Sequence, residues 1–190
     1  RQQLQSWLAA EFPGRPFDIA PASADASFRR YFRITFADDS VPLIVMDAPP
    51  SHEDCRPYVK VAELFGSAGA HVPQILRQNL EQGFLLLSDL GSTTSLQALT
   101  KDNAHNLYAD ALGALICIQK ASRPGVLPEY DRELLTRELE LFPVWYVGRH
   151  KGVTLSDKQT ADLYDVFDRI LDVNLAEPRV FVHRDYHSRN

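Results

Sequence analysis

The 190-residue chain is poor in cysteine: it has two, Cys55 and Cys117, far apart and in no metal-ligand spacing. That argues against a disulfide scaffold or a thiolate zinc site and for free thiols in a reducing compartment. No apolar run approaches the ~20 residues that a membrane helix needs. The opening RQQLQSW lacks both the apolar core and the cleavage pattern of a secretory leader, so the expected compartment is the cytoplasm. Positive charge is also scarce. Twenty Lys and Arg stand against 25 Asp and Glu, a formal net charge of −5. This disfavours nucleic acid or an anionic membrane as the main partner, because both reward clustered cations. No internal repeat or low-complexity segment is visible.

What is present is ordinary globular material. Hydrophobic residues make up 45% and charged residues 24% of the chain, enough for one large domain or two lobes sharing a cleft. Leu4, Trp7, Leu8 and Phe12 recur at helical spacing, so residues 2–12 are expected to form a short amphipathic helix stopped by Pro13, Gly14 and Pro16. SFRRYFRITF alternates, with Phe28, Phe32, Ile34 and Phe36 on one side. With a turn at 38–40 and VPLIVMD at 41–47 it predicts a hairpin. Pro57 suits the first turn of a helix reaching about Ser67. Residues 72–76 and 83–88 predict two further strands, the second (FLLLS) almost wholly apolar and therefore central. After Gly91 the pattern turns helical over 102–121, 131–148 and 156–173, and RVFVH at 179–183 predicts a last strand. The expected class is α+β with two lobes: residues 1–90 a nucleotide-binding lobe of antiparallel sheet plus helix, residues 91–190 part of a helical lobe.

The sharpest chemical signal closes the chain. His183, Arg184, Asp185 and Asn190 stand in the spacing H-R-D-x-x-x-x-N. Four specified residues match by accident about once per thousand chains of this length, so coincidence is a poor explanation. Phosphoryl transfer to an alcohol needs a carboxylate that orients the hydroxyl and accepts its proton, and an oxygen ligand for the magnesium that neutralises the phosphates. A tight loop after a strand can hold Asp185 and Asn190 for those tasks. Metal-assisted hydrolysis is an alternative: in an extended strand His183, Asp185 and His187 would share a face.

HRDYHSRN preceded by VFV resembles the catalytic loop of the aminoglycoside phosphotransferase and choline kinase-like superfamily. FLLLSDLG (84–91) resembles its last N-lobe strand and hinge, and ASFRRYFRITF with LIVMDAPP resembles its N-lobe hairpin. SFRRYFR, MDAPP, LLLSDLG, LFPVWY and HRDYHSRN together resemble the bacterial branch that phosphorylates the anomeric hydroxyl of N-acetylmuramate and N-acetylglucosamine in cell-wall recycling. The resemblance implies ATP and Mg2+ as cofactors, Asp185 as catalytic base and Asn190 as magnesium ligand. It implies a supporting role for His183, an acidic partner for Arg184, and adenine against backbone groups of Ser88, Asp89 and Leu90.

The chain departs from that family's pattern at two places. PASADASFRR stands where a glycine-rich phosphate loop is usual. Ala24, Ala26 and Ser27 are small enough to let backbone N–H groups approach a phosphate. LIVMD lacks the customary lysine, leaving Arg29, Arg30 or Arg33 as replacement cations and Glu63 as a candidate partner for whichever one acts. On the acceptor side Glu133, Glu138 and Glu140 precede LFPVWYV. Glu138 and Trp145 are the candidates for a sugar, Trp145 by stacking. A cationic aminoglycoside or choline would also suit acids and aromatics. The second magnesium acid is expected beyond Asn190, in a longer protein.

Overall fold

The computed structural model describes residues 2–23, 28–38 and 40–189. The chain divides into two compact units, Arg1–Ala121 with Asp185–Asn190 and Ser122–Arg184.

The first unit is built on a five-stranded antiparallel sheet in the order β1-β2-β3-β5-β4. Its strands are β1 (Phe17–Ser23), β2 (Arg30–Phe36), β3 (Leu43–Asp47), β4 (Ile75–Asn79) and β5 (Phe84–Ser88). The expected hairpin forms as β2 and β3, with Phe32 opposite Val45 and Ile34 opposite Leu43. Alternation sorts the side chains onto two faces. Ile34, Phe36, Val45, Phe84 and Leu86 pack with Leu4, Trp7 and Leu8 of α1 (Gln2–Glu11). Met46, Leu85 and Leu87 turn the other way, with Tyr31, Ile44, Tyr58 and Val59 against them. Tyr58 and Val59 belong to α2 (Arg56–Ser67), which begins with Pro57 in its first turn. β5 is bonded on both sides, to β3 and β4, and is apolar from Phe84 to Leu87 because both of its faces are covered. Two helices follow: α3 (Ser95–Ala98), opened by a Thr94–Gln97 capping box, and α4 (Ala104–Lys120).

In the second unit α5 (Arg132–Leu141) is capped by the Asp131 carboxylate, which accepts from the Leu134 N–H. It does not continue as α-helix to 148, as its sequence pattern suggests, but passes into a π-helical segment, Phe142–His150, with Pro143 in its first turn. The proline has no N–H to give to the preceding turn, and i→i+5 bonding widens the coil. Rings four residues apart then stack, Phe142 on Tyr146 at 5.5 Å and Tyr146 on His150 at 5.6 Å. α6 (Asp157–Ala176) starts from a Ser156–Gln159 capping box. Arg132 of α5 pairs with Asp168 and Asp172 of α6.

The strand expected at 179–183 does not form. The Phe181 N–H is taken by the Ser122 hydroxyl at 2.7 Å instead of a ladder partner. Apolar content favours an extended backbone, but a strand exists only beside another, and all five described strands lie between residues 17 and 88.

Gly83 turns β4 back into β5 with φ +75°, and a Cβ there would meet the Ala48 carbonyl oxygen at 1.8 Å. Gly14 has φ +72° and open space around it. Gly14→Ala should therefore lose only the cost of backbone strain, about 1–3 kcal/mol. Gly83→Ala should lose clearly more, since it must also displace the Ala48 N–H to Gly83 C=O bond at 2.9 Å. Urea unfolding midpoints of the two variants check this.

Candidate functional site

The first unit carries a cleft of about 280 Å³ where β5 runs into the link to α3. Tyr31, Ile44, Tyr58 and Leu87 give it an apolar floor, and Ser88, Asp89, Leu90 and Gly91 form one wall. Its size lies just under the ~300–1,000 Å³ usual for small-molecule sites, which suits part of a nucleotide rather than the whole. Burial pushes the Tyr58 hydroxyl up to about 12, so it stays protonated at neutral pH. A larger depression over α1 is lined by Gln2, Gln3, Ser6, Trp7 and Gln82. None of these residues titrates, so it offers no acid–base chemistry.

All three candidate arginines are ion-paired. Arg29 pairs with Glu53 at 3.2 Å, Arg30 with Asp47 at 2.5 Å and Arg33 with Asp89 at 2.5 Å. Arg30 keeps its side chain 54% exposed, although Asp47 beneath it is only 6% exposed. Antiparallel register sets this pair directly across the hairpin. Arg30 thus sits beside the strand position where the expected lysine is missing, with charge facing outward. Glu63 is exposed on α2, and the ion pairs of the three arginines go to other acids.

Arg33 holds the Asp89 carboxyl below its ordinary range, and the Gly91 N–H adds to the effect. Asp89 in return keeps the Arg33 guanidinium firmly protonated. Ser88 is tied on the other side, its N–H to the Gln74 carbonyl and its hydroxyl to the Gln74 N–H, both at 2.9 Å. Leu90 is half exposed. Ser27 and Asn190, expected at the phosphates and the magnesium, lie outside the described residues, as do Ala24 and Ala26.

Asp185 is exposed, in the turn that closes the first unit. The His187 Nε2 lies 3.1 Å from its Oδ1, and the His187 Nδ1 accepts the Arg189 N–H at 3.1 Å. The turn is fastened by the Ser188 carbonyl, which accepts from Leu96 N–H at 2.7 Å, and by the Tyr186 hydroxyl, which donates to the Ala111 carbonyl. The extended geometry that would align His183, Asp185 and His187 is absent: Arg184 has φ 70°. Among the described residues no group of three or more His, Cys, Asp or Glu could hold a metal.

In the second unit Arg184 donates to Glu138 at 2.6 Å and lies 5.6 Å from the centre of the Tyr130 ring. Tyr130 donates its hydroxyl to the same carboxylate. Tyr130 first, and Arg184 after it, hold Glu138 below its ordinary range. Arg184 thus has an acidic partner, and Glu138, expected at the acceptor, is engaged within its own unit. Trp145 is 54% exposed, with the Arg149 guanidinium 4.4 Å from its ring centre. His183 is exposed.

Tyr31, Tyr58 and Ile44 in the cleft, and Tyr130 beside Glu138, escaped the sequence reading. Alternation on β2 puts Tyr31 and Arg33 on one face and was legible. Nothing local distinguishes Tyr130 from any loop tyrosine.

The phosphotransferase enzyme family profile matches residues 18–190. N-acetylmuramate/N-acetylglucosamine kinases resemble the chain throughout. The Pseudomonas aeruginosa protein is 52% identical over all of it, the Pseudomonas putida protein 51% over all of it, and the Neisseria meningitidis protein 46% over 99% of it. The chain spans 58%, 58% and 57% of their respective lengths.

A depressed carboxyl stabilises the fold above its unfolded pKa, and this contribution fades as pH falls through the folded value. For Asp89 the window lies below about pH 4, near and under the model-peptide value. Asp89→Asn should flatten the acid limb of the stability profile there and lower stability at neutral pH, both read from urea midpoints across pH.

Proposed function

The chain belongs to the phosphotransferase enzyme family, and from that premise we propose that it forms the nucleotide-binding and catalytic-loop part of an ATP- and magnesium-dependent kinase for the anomeric hydroxyl of N-acetylmuramate or N-acetylglucosamine. The observation that carries the reading is the H-R-D-x-x-x-x-N loop, which stands fastened at Ser188 and Tyr186 with the Asp185 carboxylate open to solvent. The choice of sugar rests on the relatives named above, 46–52% identical along the chain.

Adenine fits the cleft on the chemistry of its lining. A purine face meets Tyr31, Ile44 and Leu87, and its polar edge meets the backbone of Ser88 to Leu90. Arg30 is the cation we assign to the phosphates, because its guanidinium is the most exposed of the three. Magnesium accepts a few carboxylate or carboxamide oxygens and completes its shell with phosphates and water. Asn190 is the ligand this chain would supply. When bound, the ion neutralises charge developing on the phosphates.

The residues then do the following. The cleft holds ATP, and Asp185 orients the sugar hydroxyl and takes its proton as the O1–phosphorus bond forms and the bond to the β–γ bridging oxygen breaks. ADP and the sugar 1-phosphate leave. The His187 imidazole, with Nε2 3.1 Å from Oδ1, lies against the Asp185 carboxylate. Most of the acceleration comes from positioning and charge neutralisation. An ATP-dependent reaction fits the cytoplasm, the compartment we propose for it. No helix among the described residues is long and apolar enough to cross a membrane.

Full-length protein given ATP, magnesium and a panel of N-acetyl sugars, choline and aminoglycosides should phosphorylate the N-acetyl sugars at O1. Asp185→Ala should lower kcat by ~10²–10⁴ while leaving ATP affinity near wild type. Full activity in that variant would remove Asp185 as base. ATP binding without transfer to any acceptor would mark a pseudokinase. Preference for choline or an aminoglycoside would move the protein to another branch of the family.

A further inference from the structure

Arg33 stands opposite Ile44, which stands opposite Leu87. This row crosses three strands and stops one residue short of the 88–91 link. From there the guanidinium makes three bonds to the link: Nε to Asp89 Oδ2 at 2.5 Å, Nη2 to Asp89 Oδ1 at 3.1 Å, and Nη2 to the Gly91 carbonyl at 2.9 Å. Asp89 Oδ1 also accepts the Gly91 N–H at 2.8 Å. Gly91 can close this ring because its φ of +101° is open to glycine. The Asp89 side chain is 5% exposed and that of Arg33 27%. The far end of the link is held where Ser88 bonds Gln74 twice. Between these two anchors, among the described residues, no backbone carbonyl takes the Leu90 N–H.

We propose that Arg33 is a positioning residue for the nucleotide, a clamp that holds residues 88–91 in the conformation that presents the Leu90 N–H and its neighbouring backbone to a purine edge. The inference rests on the nucleotide-binding part of the function proposed above. The Nε and Nη2 groups of Arg33 are both taken up by the link, and its side chain is half as exposed as that of Arg30, so Arg33 acts through the link. Its planar fork engages both carboxylate oxygens and a carbonyl at once, which a point-charge ammonium does with less geometric definition. A link containing glycine loses conformational entropy when a ligand orders it, and a link ordered beforehand avoids that loss at binding. The clamp therefore sets ATP affinity, not the chemical step.

The test uses full-length protein and measures ATP affinity by calorimetry alongside steady-state kinetics. Arg33→Met should raise Kd and KM for ATP roughly tenfold, with kcat and the sugar KM within about twofold of wild type. Asp89→Asn should behave alike, and the double variant should lose no more than either single, since both break one interaction. Arg33→Lys should fall between, and it substitutes as the probe if Arg33→Met does not fold. Arg77→Met, which removes a surface pair with Glu11 at 3.5 Å and a bond to the adjacent Leu76 carbonyl at 2.7 Å, is the control and should match wild type. An unchanged ATP affinity in both Arg33 variants would overturn the clamp, as would additive losses in the double variant. So would a fall in kcat and melting temperature accompanied by an equal rise in the KM of ATP and of the sugar. Wild-type protein that binds ATP without phosphorylating any sugar would overturn the sugar-kinase reading alone, with the Kd comparison still deciding the clamp. Wild-type protein that binds no ATP would overturn both.

Discussion

The first unit depends on a sheet that is covered on both faces. β5 shows the constraint most directly. Phe84 and Leu86 point to the α1 side and Leu85 and Leu87 to the α2 side, all nearly inaccessible to water. Trp7 of α1 lies 5.5 Å from Phe84, ring centre to ring centre. Neither face tolerates an unpaired charge, so the polar groups of the strands gather at their ends and along the open edge of the α2 face. That is where Asp47 and Asp89 sit, each with an arginine drawn from β2. The cleft is the place where the apolar α2 face runs out and the backbone of the next link begins.

This arrangement gives a chain that lacks both a phosphate-loop glycine motif and the strand lysine the cleft that we propose for a nucleotide. β2 carries Arg30 and Arg33, with Arg29 just before it, and the three go to three different acids. Arg29 ties the start of β2 to the loop before α2, Arg30 stays outward over a buried carboxylate, and Arg33 grips the link after β5. One cluster of like residues is thus divided into separate tasks by register and reach. The second unit repeats the theme on helices, where Glu138 gathers Tyr130 and Arg184.

Much of the α+β architecture was legible in residue periodicity. The hairpin of β2 and β3, the interior position of β5, and the helices α1, α2, α4 and α6 all lie close to where spacing puts them. Others were not: β1 (Phe17–Ser23) and the short α3 (Ser95–Ala98) have no counterpart in the expected elements, and β4 runs Ile75–Asn79 instead of 72–76. The 179–183 segment has strand composition, but composition says nothing about whether a neighbouring strand is free. The stretch after Leu141 has helical periodicity, but it cannot announce that Pro143 will be accommodated by a wider π-helical coil. The site was legible as residue types. Asp185 and the SDLG link stand out in the sequence, whereas Tyr31 and Tyr58 enter the cleft only because β2 and α2 converge there.

The sequence by itself determined which faces are apolar and which chemistry is available, because alternation, helical spacing and the H-R-D-x-x-x-x-N order are local properties. Only the tertiary structure decided the partners. Arg33 and Asp89 are 56 positions apart, and Glu138 and Arg184 are 46 apart. A long cationic side chain can reach any acid within its radius, and strand register and helix packing choose that acid. Charge pattern along the chain therefore leaves three arginines equivalent, and the folded sheet makes one of them a clamp.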